Sequence, residues 1–156
     1  MTAALPIIGR STTIVINGIR DVPAKVDTGA DASSVWASDI RLESDGLHFK
    51  LFGAHSKYFA GEEVVVPEGH FVQKRIVSST GGREERYAVE LPVVVEGQEA
   101  TVVFSLSDRL TLAYPILLGC SFLAGRFLVD CAQQISTELH QHLIDEKMAR
   151  RKIVGR

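Results

Sequence analysis

The stretch AKVDTGADASSVWA, Ala24–Ala37, decides how the rest of the chain is read. A short apolar approach ends in Asp27-Thr28-Gly29-Ala30, and small residues follow. Successive side chains on a strand leave opposite faces, so Val26 and Asp27 point apart. Thr28 offers a hydroxyl, and Gly29 lets the backbone turn sharply and come close to the carboxylate. The plain alternative is an ordinary Asp-Thr-Gly turn between two strands. Much later, Tyr114–Gly119 (YPILLG) and Cys120–Asp130 (CSFLAGRFLVD) repeat the layout: an apolar run into Leu118-Gly119, a short helical piece, then another strand.

Working outward from that turn, Thr12–Ile16 (TTIVI) reads as a strand, and Asn17-Gly18 is a strong hairpin signal. The return strand, about Val22–Val26, delivers Asp27. Ser33–Ser38 reads as a short strand or turn, with Trp36 in the core. Leu47–Phe52 alternates as a strand, Gly53–Gly61 is loop-like, and Glu62–Val66 begins another strand. Phe71–Val77 and Glu84–Leu91 form the next hairpin, with Ser78–Arg83 (SSTGGR) at its tip. Two readings of that tip stay open: a surface β-turn, or a glycine flap that closes over an extended peptide. Pro92–Val95, Glu96-Gly97 and Ala100–Leu106 make a further hairpin. A hairpin therefore precedes both Asp27 and Leu118-Gly119, a weak internal repeat. Many short strands with turn signals predict a mainly β barrel or sandwich. Ala132–Val154 has neither Pro nor Gly, and Ile135, Leu139, Leu143 and Met148 make a loose apolar stripe. It is expected to be a C-terminal helix docked on the barrel or on a partner.

At 156 residues the chain suits one domain with a real core, divided into a barrel over 1–131 and a helical extension over 132–156. Hydrophobic content of 46% with 23% charge fits a folded globular protein rather than a disordered one. A formal net charge of −2 gives no electrostatic case for nucleic acid. The basic run Arg150-Arg151-Lys152 reads as a solvated helix end, which suits the helix dipole. Cys120 and Cys131 are the only cysteines, and without a visible export signal they are expected to stay reduced. MTAALPIIGR has no basic start and too short an apolar run for a signal peptide. Leu110–Gly125 lacks charge, but Pro115, Gly119 and Gly125 interrupt it, so buried strand, turn and helix fit better than a membrane span. The expected location is the cytoplasm, with no membrane partner.

Asp-Thr-Gly-Ala early and Ile/Leu-Leu-Gly late is the pattern of retropepsin-like aspartic proteases, and the chain resembles that superfamily. It is most similar to a bacterial branch associated with the RimK-type glutamate ligase system and often labelled "ATP-dependent zinc protease". The residues that carry the resemblance are Lys25–Ala30, Val77–Arg86 (VSSTGGREER), Ser105–Arg109 (SLSDR) and Leu117–Gly119, in that order. The resemblance implies a closed acid-protease β-barrel, here with a C-terminal helix. It implies peptide-bond hydrolysis by paired carboxylates, with Asp27 catalytic. With one Asp-Thr-Gly per chain, it implies a C₂ homodimer that brings two copies of Asp27 together. Thr28 would brace the opposite subunit and Gly29 would present its backbone to substrate. Ala30, Asp31, Ser78, Ser79, Gly81 and Gly82 would line the bound peptide or protein.

Three departures stand against the family pattern. Asp31 is present, but the position usually held by its Arg partner is Cys120, and a thiol cannot replace a bidentate guanidinium. Ala32 stands where the branch has Thr, and Trp36 where it has His. The zinc and ATP parts of the label find no motif: there is no His-Glu-x-x-His and no phosphate-binding Gly-x-x-x-x-Gly-Lys-[Ser/Thr]. No cofactor or metal is expected. Ser78-Ser79 lies in no Gly-x-Ser-x-Gly elbow. His48, His55 and His70 read as surface or structural residues, and His140 and His142 face different sides of a helix. The alternative function is a non-catalytic retropepsin-fold dimerisation or regulatory module. A narrower enzymatic one is a peptidase acting on glutamylated protein tails.

Overall fold

The computed structural model describes residues 4–77, 81–133 and 137–155. In chain order the strands are β1 (Ile7–Ile8), β2 (Ser11–Ile16), β3 (Ile19–Val26), β4 (Ser33–Glu43), β5 (Gly46–Leu51), β6 (Glu63–Val66), β7 (Phe71–Val77), β8 (Arg83–Val95), β9 (Gln98–Ser107) and β10 (Ile116–Leu118). A short helix α1 (Cys120–Leu123), strand β11 (Leu128–Val129) and the long helix α2 (Thr137–Val154) follow. The fold is thus mainly β with a C-terminal helix.

Neighbouring strands run β10-β3-β2-β8-β9-β4, and β4 pairs again with β10, which closes a six-stranded barrel. β5 and β6 extend the sheet beyond β4, and β7 extends it beside β8. The β2–β3 hairpin turns at Asn17-Gly18, with φ of 47° and 82°, the positive pair a tight two-residue hairpin demands. Alternation does the rest. Ile14 and Ile16, Val22, Ala24 and Val26, Val93 and Val95, and Phe104 and Leu106 all turn inward and are buried, forming one core with Trp36, Phe49, Ile116 and Leu118.

Two strands differ from expectation. β4 runs eleven residues, well past Ser38, with a bulge between Ser38 and Arg41 and Asp39 at φ 52°. Its outer half carries charges that the β5–β6 extension pairs. β8 is one strand of thirteen residues rather than two. Pro92 lies between the β7-paired residues, up to Val89, and the β2-paired residues, from Val93, so its missing N–H falls where β8 changes neighbour on that side. The tip residues Ser78, Ser79 and Thr80 lie outside the described residues, as does Ile135 of the expected helical stripe.

α2 docks on the barrel through part of its expected stripe and through one residue outside it. Leu143 is 1% exposed and Leu139 half-buried, but Met148 is 49% exposed. Arg150, expected in a solvated run, is buried. Its Nε donates to the Leu110 carbonyl at 2.7 Å and Nη2 to that of Leu112 at 3.0 Å. Its guanidinium stacks 5.4 Å from the Trp36 ring. Among the described residues no helix is long and apolar enough to cross a membrane.

Candidate active site

Asp27 stands at the end of β3, where β10 runs parallel to β3 in the register Leu118↔Val26 and antiparallel to β4. β10 is thus wedged between the strand that enters the turn and the strand that leaves it. The Asp27 N–H donates to the Leu118 carbonyl at 2.9 Å, continuing the ladder one residue past the strand. The Gly29 N–H donates to Asp27 Oδ1 at 2.9 Å and fixes the direction of the carboxylate. The Ala30 N–H closes the turn on the Asp27 carbonyl at 3.3 Å. Asp27 is half-buried, whereas Thr28 and Gly29 are exposed beside it.

The late glycine holds this turn from behind. Cys120 N–H donates to the Ala30 carbonyl at 2.7 Å and Ser121 N–H to that of Asp31 at 2.9 Å. Gly119 N–H donates to the buried Ser33 Oγ at 3.0 Å. Cys120 Sγ lies 3.0 Å from the Thr28 carbonyl, in place to donate its proton. The start of α1 therefore clamps residues 28–33 by four hydrogen bonds. Ser33 and Cys120 were not singled out as site residues in the sequence. The Ser-Ser pair that opens β4 was the available signal for Ser33. Both thiols are free, as expected.

The other expected site residues are more scattered. Ala30 is half-buried in the turn, and Asp31 is exposed with no ion pair among the described residues. Ser78 and Ser79 lie outside the described residues. Gly81 and Gly82 are exposed, Gly81 with φ of 84°. Next to them Glu84 and Glu85 border a cleft of about 470 Å³ shared with Trp36, Asp39 and Asp108, which Asp27 does not line. His140 accepts or donates toward the Tyr114 hydroxyl at 3.1 Å and His142 pairs with Glu146 at 3.0 Å, on different sides of α2 as expected.

Of the two readings expected of His48, surface or structural, the structural one holds. It is 6% exposed, with Nε2 2.5 Å from Asp45 Oδ1 and 3.4 Å from Glu43 Oε2. Its Nδ1 stands 3.1 Å from Glu63 Oε2, off the line of a well-formed hydrogen bond. Its contacts with Asp45 and then Glu63 hold its pKa above the ordinary imidazole value. The same contact with His48 lowers Asp45, and contacts with Arg41 and then His48 lower Glu63. Glu43, Asp45 and His48 lie close enough to share a cation, yet the imidazolium and Arg41 already meet these carboxylates.

Residues 7–138 match the family model described as "RimB-like: Retropepsin-like aspartic endopeptidase RimB". The chain belongs to the RimB-like family. Among its relatives, a "Probable alpha-L-glutamate ligase" of Desulfotalea psychrophila is 29% identical over 75% of this chain and 26% of that protein. One of the same name from Shewanella pealeana is 30% identical over 72% of this chain and 25% of that protein. The chain thus spans about a quarter of the length of these relatives. A crystal structure of a Legionella pneumophila protein shares the fold, with a TM-score of 0.62 at 21% identity, covering 86% of this chain and 99% of that one.

Proposed function

We propose that two copies of this chain bring their Asp27 carboxylates together and that the pair hydrolyses peptide bonds. The observation that carries this reading is the Asp27 turn. Its acid is aimed by the Gly29 N–H and braced through β10, while Thr28 and Gly29 beside it are left exposed. One carboxylate alone is half of the required chemistry. Two held close share a single proton, since like charges at that distance cannot both ionise, and the pair titrates as a unit. The ionised member takes a proton from water, whose oxygen attacks the scissile carbonyl carbon. The protonated member donates a hydrogen bond to the carbonyl oxygen. The C–N bond then breaks as the amine nitrogen takes up a proton from the pair. Gly29, Ala30, Asp31 and the tip around Ser78, Ser79, Gly81 and Gly82 would hold the peptide extended.

For the substrate we propose glutamate-extended protein tails, because relatives that carry a matching segment bear the name alpha-L-glutamate ligase. Mass spectrometry of glutamate-extended and unrelated peptides after incubation tests both parts. Wild type is expected to shorten the former, and Asp27→Asn to abolish cleavage without disrupting the dimer. Full activity in Asp27→Asn would remove the mechanism. Cleavage of unrelated peptides with the glutamate tails untouched would remove the substrate. A protein that dimerises yet cleaves nothing is the non-catalytic module.

A further inference from the structure

Outside the Asp27 turn, a cleft of about 290 Å³ lies between the barrel and α2, and its charge is one-sided. Arg10 comes from the β1–β2 junction, Lys25 from β3, Arg109 from the segment after β9, and Lys147 and His140 from α2. No acidic side chain among the described residues lines it. Among the described residues none of these four cations makes an ion pair. Four like charges gathered in one concave site repel one another and raise the local concentration of anions.

Arg109 makes the arrangement more than a solvated basic patch. It is 8% exposed. Its Nε donates to the Tyr114 carbonyl at 2.8 Å, which orients the guanidinium. Its two terminal nitrogens have no protein acceptor among the described residues, and neither is sealed away from the cleft. Burial lowers its pKa from the ordinary guanidinium value, although arginine stays charged under all ordinary conditions. A buried, permanently charged group without a counter-charge is costly unless something supplies one. Tyr114 and His140, joined through their side chains, also line it.

We propose that this cleft is a binding site for a small polyanion, a ligand that presents two or more carboxylate or phosphate groups to Arg109, Arg10, Lys25 and Lys147. The guanidinium fork of Arg109 takes one oxyanion by paired N–H donors, and the flexible ammonium groups take the others. The volume fits a molecule of metabolite size or the side chains of a short acidic peptide, and it is too small for a folded domain. The site is formed within one chain and needs no second copy, so it stands or falls independently of the peptidase reading.

Calorimetric titration with citrate, pyrophosphate and tetraglutamate, each at constant ionic strength, tests it. At least one is expected to bind saturably, and the tightest of the three identifies the source as a free carboxylate, a phosphate compound or an acidic peptide. Arg109→Gln and the double variant Lys25→Gln/Lys147→Gln, at one exposed and one half-buried position, are each expected to weaken that binding by about tenfold or more, the loss of one charge-assisted contact or its equivalent. Arg20→Gln, on β3 but outside the cleft, and Asp27→Asn are expected to bind as wild type does. Should Arg109→Gln fail to fold, the double variant decides. Undiminished binding in the double variant, or no saturable binding of all three up to about 10 mM, weaker than the range of specific ligands, would overturn the proposal.

Discussion

At Gly119 the backbone has φ −96° and ψ 179°, a conformation open to any residue, so the glycine is there for space. A Cβ at this position would stand 2.5 Å from the Ala32 carbonyl oxygen and 2.9 Å from that of Ala30. Both belong to backbone that the start of α1 clamps, so neither can give way without loosening the Asp27 turn. Gly119→Ala is expected to destabilise the protein by about 2–3 kcal/mol, as overpacking of a rigid site does. The melting temperature should fall by roughly 5–10 °C for a domain of this size. Thermal melts check this, and an unchanged melting temperature would mean that the clamp is slack. Gly29 is a milder case, since a Cβ there meets only Asp27 Oδ1 at 3.2 Å. The conspicuous glycine of the motif is thus the less crowded of the two.

Two elements hold their places through charges that a hydrophobic pattern does not register. The β4–β5–β6 extension is tied by Arg41 to Asp39, Glu43 and Glu63 and by His48 to Asp45 and Glu63. His48 is raised in the fold above its unfolded value of about 6.5, so the folded state holds its proton more tightly. Its contribution is therefore complete below about pH 6.5 and is lost as pH rises through the folded value. Asp45 and Glu63 are lowered, and what they contribute is lost only in acid, as pH falls through their folded values. The stability difference between wild type and His48→Gln is accordingly expected to be largest near pH 5.5 and to shrink toward pH 9. Urea melts across that range would expose a constant difference, which would contradict the assignment. α2 depends on Arg150 in the same way. Arg150→Met removes two hydrogen bonds from a charged donor and the stack on Trp36, and is expected to cost about 2–4 kcal/mol. Faster amide exchange across Thr137–Val154 is the direct readout, and unchanged exchange would show that Leu143 alone holds the helix. The same two elements mark where reading the sequence stopped short. Asn17-Gly18 and the alternating valines place the hairpins within about three residues, because local backbone geometry dictates those signals. The outer half of β4 and the burial of Arg150 were hidden, because each depends on a partner distant in sequence: Glu63 in one case, the carbonyls of Leu110 and Leu112 in the other.

For the molecule as a whole, the closed barrel and the position of the Asp27 turn could both be read from the sequence, through two motifs ninety residues apart that β3 and β10 bring side by side. The basic cleft could not, since its cations come from four segments that the β2–β3 pairing, the stretch after β9 and the docking of α2 bring together. The proposed pairing of two chains carries a consequence that no single-chain mechanism shares. If each copy supplies one acid, the active species is the dimer. Activity per chain must then fall on dilution below the dimer dissociation constant, and at the lowest concentrations total rate must approach the square of protein concentration. A one-chain enzyme would keep its activity per chain constant. The pairing surface can be probed as well. β1 and β11 form a two-stranded parallel sheet that sets Ile7 opposite Leu128, and these side chains are 54% and 57% exposed. Apolar neighbours left so open suit contact with another protein surface. Ile7→Glu/Leu128→Glu is expected to raise the concentration needed for half-maximal specific activity by about tenfold or more, the effect of burying an unpaired charge in an interface. Melting temperature at high dilution should hardly move. Sedimentation equilibrium run beside the dilution series separates the possibilities. Dimers that persist in the double variant would place the contact elsewhere, and specific activity independent of concentration while the dimer dissociates would end the shared-acid mechanism itself.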